Sequence, residues 1–364
     1  MRVPGLRLFD RLVLREFLLL LALSLGACVT IFGVVDLFEK LREFLDGHAT
    51  AFMIARYYAY KVPYVIVNVL PVALLMSTFL TLGQMSKFNE LTAMATAGVS
   101  TGRIIVPLLA VALLSVGVSF VLNETVVPEA TRRREAILEG EVRRRTLREP
   151  TEFANVSALG RDGRIYLVKL YLAPEQLMHD VLVSEMKSGT ISRRIDARRA
   201  RWDGRQWVFE EGVVRRFKNG TETAEPFASR ALPELSARPE DFTKRPEEPD
   251  EMGFARLADY IERLRRSGLR VDKFLVQLEL KLAFPWINFI VVVMGAALAA
   301  RLRNPNAAVG FGISVFTAFF YYALMRAGEA LGEGGTLPPL VAAWGANAVF
   351  GTIALGLYLN ARRR

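Results

Sequence analysis

Six stretches of this chain are apolar for long enough to cross a bilayer, and nothing else in the sequence constrains the fold as strongly. They are Phe17–Val35, Val62–Leu82, Ile104–Leu122, Leu282–Ala300, Pro305–Met325 and Leu337–Asn360. In lipid a backbone must satisfy its own hydrogen bonds, so runs of this length are expected to be helices. The first run is longer than the apolar core of a secretory signal and no small-residue cleavage pattern follows, so it reads as a retained span. Pro63 and Pro71 predict a bend in the second. No charge falls near the middle of any run, which removes the proton relay or ion ladder of many secondary transporters.

A charged fraction of 23% is too high for spans alone, and the excess is concentrated between the third and fourth spans. Glu129–Arg148 is charged and helix-prone, continuing the third span into water. Over 150–240 the turn signals RDGR (161–164), KSGT (187–190), WDGR (202–205) and KNGT (218–221) separate short segments such as RIYLVKLYLA and QWVFEEGVVRRF. That spacing predicts antiparallel strands in a sandwich or jelly roll rather than a parallel sheet. RPEDFTKRPEEPDE reads as a linker, and Phe254–Ser267 as an amphipathic helix with Leu257, Tyr260, Ile261 and Leu264 on one face. The predicted fold class is a polytopic α-helical membrane protein, six transmembrane helices with a β-jelly-roll-like domain inserted between helices 3 and 4. Its predicted divisions are 1–125, 126–272 with a β-rich core at about 150–240, and 273–364.

Basic residues set the expected orientation. Arg2, Arg7, Arg11 and Arg15, then Lys87 and Arg103, Arg301 and Arg303, and the ARRR tail lie on one side. Against them stand Lys40, Arg42, Arg56, Lys61 and Arg326, a bias of roughly two to one that puts both termini and the 84–103 loop in the cytoplasm. The net charge of +10 is therefore read as topology and surface, not as nucleic-acid binding. The single cysteine, Cys28, excludes an internal disulfide, and His48 and His179 sit in no ligand-spacing motif, so no metal or other cofactor is expected. No G-x-x-x-x-G-K-[ST] occurs, so the chain cannot cradle nucleotide phosphates in a P-loop of its own.

Gln84–Arg103, between the second and third spans, is too polar for lipid and too short for a domain. Met85, Phe88, Leu91 and Met94/Ala95 recur at helical spacing and predict a short helix with one apolar stripe. Ser86 is expected to cap it, Ala97-Gly98 to stop it, and Ser100/Thr101 to cap the next helix. Such a helix suits a soluble partner, with Glu90 and Lys87 beside the stripe; the plain alternative is a solvated turn. Within the spans, Gly295 with Ala299, Ala308 with Gly312 and Ala342 with Ala346 are expected to let helices approach closely. Asn68, Asn288 and Asn347 are expected to bond neighbouring helices. Two classes of function fit these features. One is a transport subunit driven by a separate ATPase; the other is a non-transporting scaffold or receptor with an outward β-domain.

Four stretches carry a resemblance to a known family: VVDLFEKLREFL, FNELTAMATAGVS, YIERLRRSGL with ELKLAFPWINFIVVVMGAALAARLRNP, and LGEGGTLPPLVAAWGANAVF. They resemble the lipopolysaccharide export permeases LptF and LptG, the YjgP/YjgQ family, over essentially the whole chain. The VDLFEK segment is more similar to LptG, with LptF as the alternative. The resemblance implies an inner-membrane ABC-transporter permease of a Gram-negative bacterium, a heterodimer of the two paralogues on two copies of the ATPase LptB. It implies that lipopolysaccharide is drawn from the membrane and passed through LptC to a periplasmic bridge, with the β-domain periplasmic. It also implies a coupling helix at 84–103, with Met85, Phe88, Glu90 and Leu91 as ATPase-coupling residues. Lys40 and Arg42 are implied as contacts to lipid phosphates, although Glu39 and Gly33 stand where the family can carry basic residues. The bland reading of Lys40 is a snorkelling anchor.

Overall fold

The computed structural model describes residues 8–98, 101–143, 152–160, 164–187, 190–218, 221–233, 235, 237–243, 248–266, 270–299 and 307–362. The chain forms two compact units: residues 1–142, 249–254 and 272–364, and residues 143–248 and 255–271.

The first unit is helical. Its elements are α1 (Leu8–Asp46), α2 (Ala51–Lys87), α3 (Glu90–Thr96), α4 (Thr101–Ile137), α6 (Asp272–Ala283), α7 (Ile287–Ala299), α8 (Ala307–Glu333) and α9 (Pro339–Arg362). α5 (Phe254–Arg266) begins in this unit and continues in the other. Among the described residues six helices are long and apolar enough to cross a membrane, as the sequence predicts, with α6 and α7 joined through Phe284–Trp286 into one of them. α2 and α4 run on through Pro63, Pro71, Pro107 and Pro128. In an apolar environment a freed carbonyl has no water to turn to, so the helix persists around the proline.

α2 is the central post. Leu74, Leu75 and Phe79 are buried in one core with Leu108 of α4, Val291 and Val292 of α7, and Phe17 of α1. The α1 middle, by contrast, turns Leu23, Ile31 and Val35 outward, as a lipid-facing helix does. Small residues set the close approaches, though not all at the expected places. A Cβ on Gly295 would lie 2.7 Å from Leu75 Cδ1, and one on Gly328 2.5 Å from the Ala342 carbonyl oxygen. Gly312 faces open space, and its neighbour Gly310 is the residue pressed against Phe79. Asn288 donates to Ser115 O (3.3 Å) and Ser119 Oγ (3.0 Å) on α4, and Asn347 donates to Ala283 O (2.8 Å). Asn68 differs: its side chain donates to Tyr64 O of its own helix, and its carbonyl accepts from Tyr322.

The second unit is built on a six-stranded antiparallel sheet in sequence order: β1 (Glu152–Leu159), β2 (Ile165–Leu172), β3 (Leu177–Lys187), β4 (Thr190–Trp202), β5 (Trp207–Lys218) and β6 (Thr221–Ala231). The predicted jelly-roll-like domain thus takes the form of a meander. WDGR is a turn as expected, with Gly204 at φ +95° and Asp203 Oδ1 accepting from Arg205 N and Gln206 N, both at 2.8 Å. Those two donors hold the Asp203 carboxyl below the usual carboxylate range. The tips of the other three turns, Ser100 and the 301–306 loop lie outside the described residues.

A crease crosses this sheet. In β2 to β5 the buried residues alternate, then skip to the third position: Val168 to Tyr171, Met178 to Val181, Ala197 to Ala200 and Phe209 to Gly212. Two successive outward residues reverse the pleat, so both halves of a strand face the same core. Asp180 (φ +51°) and Glu211 (φ +52°) take the left-handed backbone that this needs. Their charges are matched across strands by Lys169 (3.4 Å) and Arg198 (3.1 Å). The inner face is filled by Tyr166, Tyr171 and Trp207 around Phe242. Phe242 belongs to the stretch expected to be a linker; Trp207 Nε1 donates to Ala237 O at 2.8 Å and ties that stretch down.

Candidate functional site

The α1–α2 hairpin brings together residues that the sequence keeps far apart. Its turn is tight: a Cβ on Gly47 would sit 2.5 Å from Val142 Cγ1, and His48 takes φ +47°. Thr50 caps α2 by accepting from Met53 N at 3.4 Å. Each helix continues past its apolar run, so Asp36 of α1 meets Tyr58 and Lys61 of α2. The Tyr58 hydroxyl donates to Asp36 Oδ2 at 3.0 Å and the Lys61 ammonium donates to Oδ1. Both charged side chains are nearly sealed, Lys61 at 7% and Asp36 at 11% exposure.

Around this pair lies a cavity of about 260 Å³, lined by Phe32 and Lys40 of α1, Tyr57, Lys61 and Tyr64 of α2, Thr131 and Arg134 of α4, and Asp250. Aromatic faces hold its cations. Lys40 Nζ and Lys61 Nζ stand 5.6 and 5.7 Å from the Tyr57 ring centre, and the Arg134 guanidinium 5.9 Å from that of Tyr64. Acids attend each one: Glu43 lies 3.9 Å from Lys40, Glu135 pairs with Arg134, and Asp36 with Lys61. The Thr131 hydroxyl is buried with no protein hydrogen-bond partner. Three cations, a free hydroxyl and aromatic walls suit an anionic group attached to something apolar. No nucleophile with an adjacent base lines the cavity.

Of the two basic residues expected to touch lipid, Lys40 lines this cavity and Arg42 does not. Arg42 is 94% exposed and pairs loosely with Asp46 at 3.8 Å. Two residues along a helix are about 200° apart around it, so both cannot face one pocket. Asp36, Lys61 and Arg134 were not singled out by the sequence reading. Their signal was the position of isolated charges one residue or one helical extension beyond an apolar run.

The 84–103 stretch is not one helix. α2 continues to Lys87, Phe88 N closing its end on Gln84 O (3.0 Å), and Asn89 at φ +56° breaks the chain before α3 begins at Glu90. Asparagine tolerates this backbone better than most residues. Ser86 is therefore inside α2 rather than a cap, while Gly98 (φ +82°) stops the segment as predicted. The break splits the expected stripe. Met85 is fully buried in the chain's own core, with Met94 beside it and Leu91 packed against them. Phe88 is turned out, 67% exposed, with Lys87 Nζ 5.7 Å from its ring centre, and Glu90 is half-buried. Arg103 in the first turn of α4 donates to Asp10 in the first turn of α1 at 2.9 Å. The four expected coupling residues thus divide into an inner set, Met85 and Leu91, and an outer set, Phe88 and Glu90.

Compared with known protein families, the chain matches the model of the lipopolysaccharide export system permease LptF/LptG over residues 11–360. A comparison with curated proteins gives no match.

Proposed function

We infer the function from one premise: the chain belongs to the lipopolysaccharide export system permease family LptF/LptG. We propose that it is the LptG-type subunit, non-catalytic itself, pairing with an LptF-type paralogue and driven by two copies of the ATPase LptB. Its work is to draw lipopolysaccharide out of the inner membrane and pass it through LptC towards the periplasmic bridge. A lipid loses roughly 0.8 kcal/mol per CH₂ withdrawn from the bilayer, so extraction needs coupled energy, and the sequence contains no P-loop motif. In this reading both termini and α3 are cytoplasmic, and residues 126–272 are periplasmic.

The observation that carries the proposal is the cavity of Lys40, Lys61 and Arg134. It lies at the end of the α1–α2 hairpin opposite α3, beside the lipid-facing flank of α1, where the phosphates of lipid A would arrive. At the other end Phe88 and Glu90 present a small apolar and acidic surface for the ATPase. Met85 and Leu91 hold that surface to the bundle. An apolar contact transmits motion only if its own base is rigid, so the inner set serves coupling by anchorage.

The test is photo-crosslinking of lipopolysaccharide to the chain reconstituted with partner permease and ATPase. Lys40→Ala and Arg134→Ala are expected to reduce crosslinking several-fold, more so at low ionic strength, while Arg42→Ala leaves it unchanged. Equal loss in all three would reduce the cavity to general surface charge. Failure of any ATPase to co-purify would favour the scaffold or receptor reading. Co-purification in the opposite subunit position would mark the chain as the LptF type.

A further inference from the structure

We propose that Asp250 sets the specificity of the cationic cavity: its carboxylate is a tethered anion that a multiply charged headgroup displaces and a singly charged one does not. This rests on reading the cavity as the seat of a lipid phosphate, and it adds which anionic lipids are refused.

Asp250 sits on the short turn Pro249–Glu251, in a stretch whose composition is that of a linker. The backbone there is fixed. Arg132 Nε donates to Glu251 O at 3.2 Å, and Glu124 of α4 accepts from Phe254 N at the start of α5. Gly253 lies so close that an added Cβ would be 2.8 Å from Glu124 Oε1 and 3.0 Å from the Glu124 carbonyl oxygen. Glu251 and Met252 are buried. With its neighbours anchored to α4, Asp250 is presented to the cavity by the fold, and its side chain can leave by rotation alone.

The charges around it explain what this accomplishes. Lys61, Lys40 and Arg134 each already have an acid beside them, and Asp250, at an exposed position, brings one more carboxylate to the wall of the cavity they line. It also interacts electrostatically with Lys281 and Arg326. An incoming anion must therefore replace a negative charge already in place. A phosphodiester headgroup, with one charge, exchanges like for like and gains nothing. A phosphomonoester carries about two charges at neutral pH and three strong acceptor oxygens, so it gains on exchange. The buried Thr131 hydroxyl offers an additional hydrogen bond to those oxygens. The bilayer's ordinary monoanionic phospholipids are thereby kept out of a pocket that would otherwise attract them.

The experiment uses the full chain in phosphatidylcholine nanodiscs containing either bisphosphorylated lipid A or phosphatidylglycerol. Lipid retained after detergent exchange is quantified by mass spectrometry. Wild type is expected to retain lipid A in preference to phosphatidylglycerol. Asp250→Asn is expected to raise phosphatidylglycerol retention roughly tenfold, the effect of one partly screened charge at close range. Lipid A retention should change far less. Asp250→Glu, which keeps the charge, should select as wild type does. An unchanged ratio in Asp250→Asn overturns the proposal, as does loss of selection in Asp250→Glu, which would make the residue a structural anchor. Millimolar inorganic phosphate should not strip lipid A; if it does, the cavity takes free phosphate and lipid selection is overturned. If wild type and Arg134→Ala retain both anionic lipids no better than phosphatidylcholine, the reading of the cavity itself fails.

Discussion

Removing the Asp36 carboxylate should be among the most damaging single changes in the helical unit. Lys61 is 7% exposed, and its ammonium donates to Asp36; Asp36→Ala leaves that charge sealed between α1 and α2 with the Tyr57 and Phe32 rings as its nearest support. Breaking one half of a buried pair costs about 3–5 kcal/mol, most of it the penalty of the abandoned charge. Tyr58 also loses its acceptor, about 1 kcal/mol more. The expected result is a fall in Tm of at least about 5 °C, followed by tryptophan fluorescence of the full chain in detergent. Two controls separate charge from packing. Tyr58→Phe should cost only about 1 kcal/mol. Asp36→Leu combined with Lys61→Met should recover most of the loss, because an apolar pair of similar volume needs no desolvation. If Asp36→Ala costs under about 1 kcal/mol, or the double variant is as unstable as the single one, water reaches the pair and the argument from burial is wrong.

Three further outcomes follow from named contacts. Phe88→Ala, at an exposed ring, should leave thermal stability within about 0.5 kcal/mol while lowering ATPase recovery on co-purification; Met85→Ala, at a sealed core position, should cost about 2–5 kcal/mol by the same fluorescence melt. Gly328→Ala should destabilise by about 1–3 kcal/mol because its methyl meets the Ala342 carbonyl oxygen, whereas Gly312→Ala should be silent in the same assay. Trp207→Phe removes the Nε1 hydrogen bond to Ala237 O and should weaken the closure of the β core by about 1–2 kcal/mol, read as increased hydrogen exchange over 232–243.

The spans were legible because one physical rule governs them: an apolar run of sufficient length in lipid has few alternatives to a helix. The antiparallel sheet was legible through its turn signals, since WDGR must reverse the chain wherever it sits. The crease was not. It depends on Asp180 and Glu211 taking left-handed backbone inside strands, where neighbouring strands hold them. No local pattern announces a conformation that only the assembled sheet makes tolerable. Phe242 was hidden for a related reason, a single aromatic in a run of Pro, Glu and Lys whose composition speaks for solvent.

The site divides along the same line. Lys40 and Arg42 were named together because they share a recognisable segment, but nearness in sequence is not nearness around a helix, and only Lys40 lines the cavity. Asp36 and Lys61 are the instructive case. Each lies one residue outside an apolar run, where a charge ordinarily marks the point at which a helix meets water. Read separately, they close two spans. Only the tight turn at Gly47–Thr50 makes them face each other, because it lets α1 and α2 extend together past their apolar lengths. A charge that ends a span in the sequence becomes, once the hairpin is closed, the floor of a pocket. In the proposed function, a lipid phosphate entering it competes with the chain's own acids, Asp36, Glu43 and Glu135, for the same few cations.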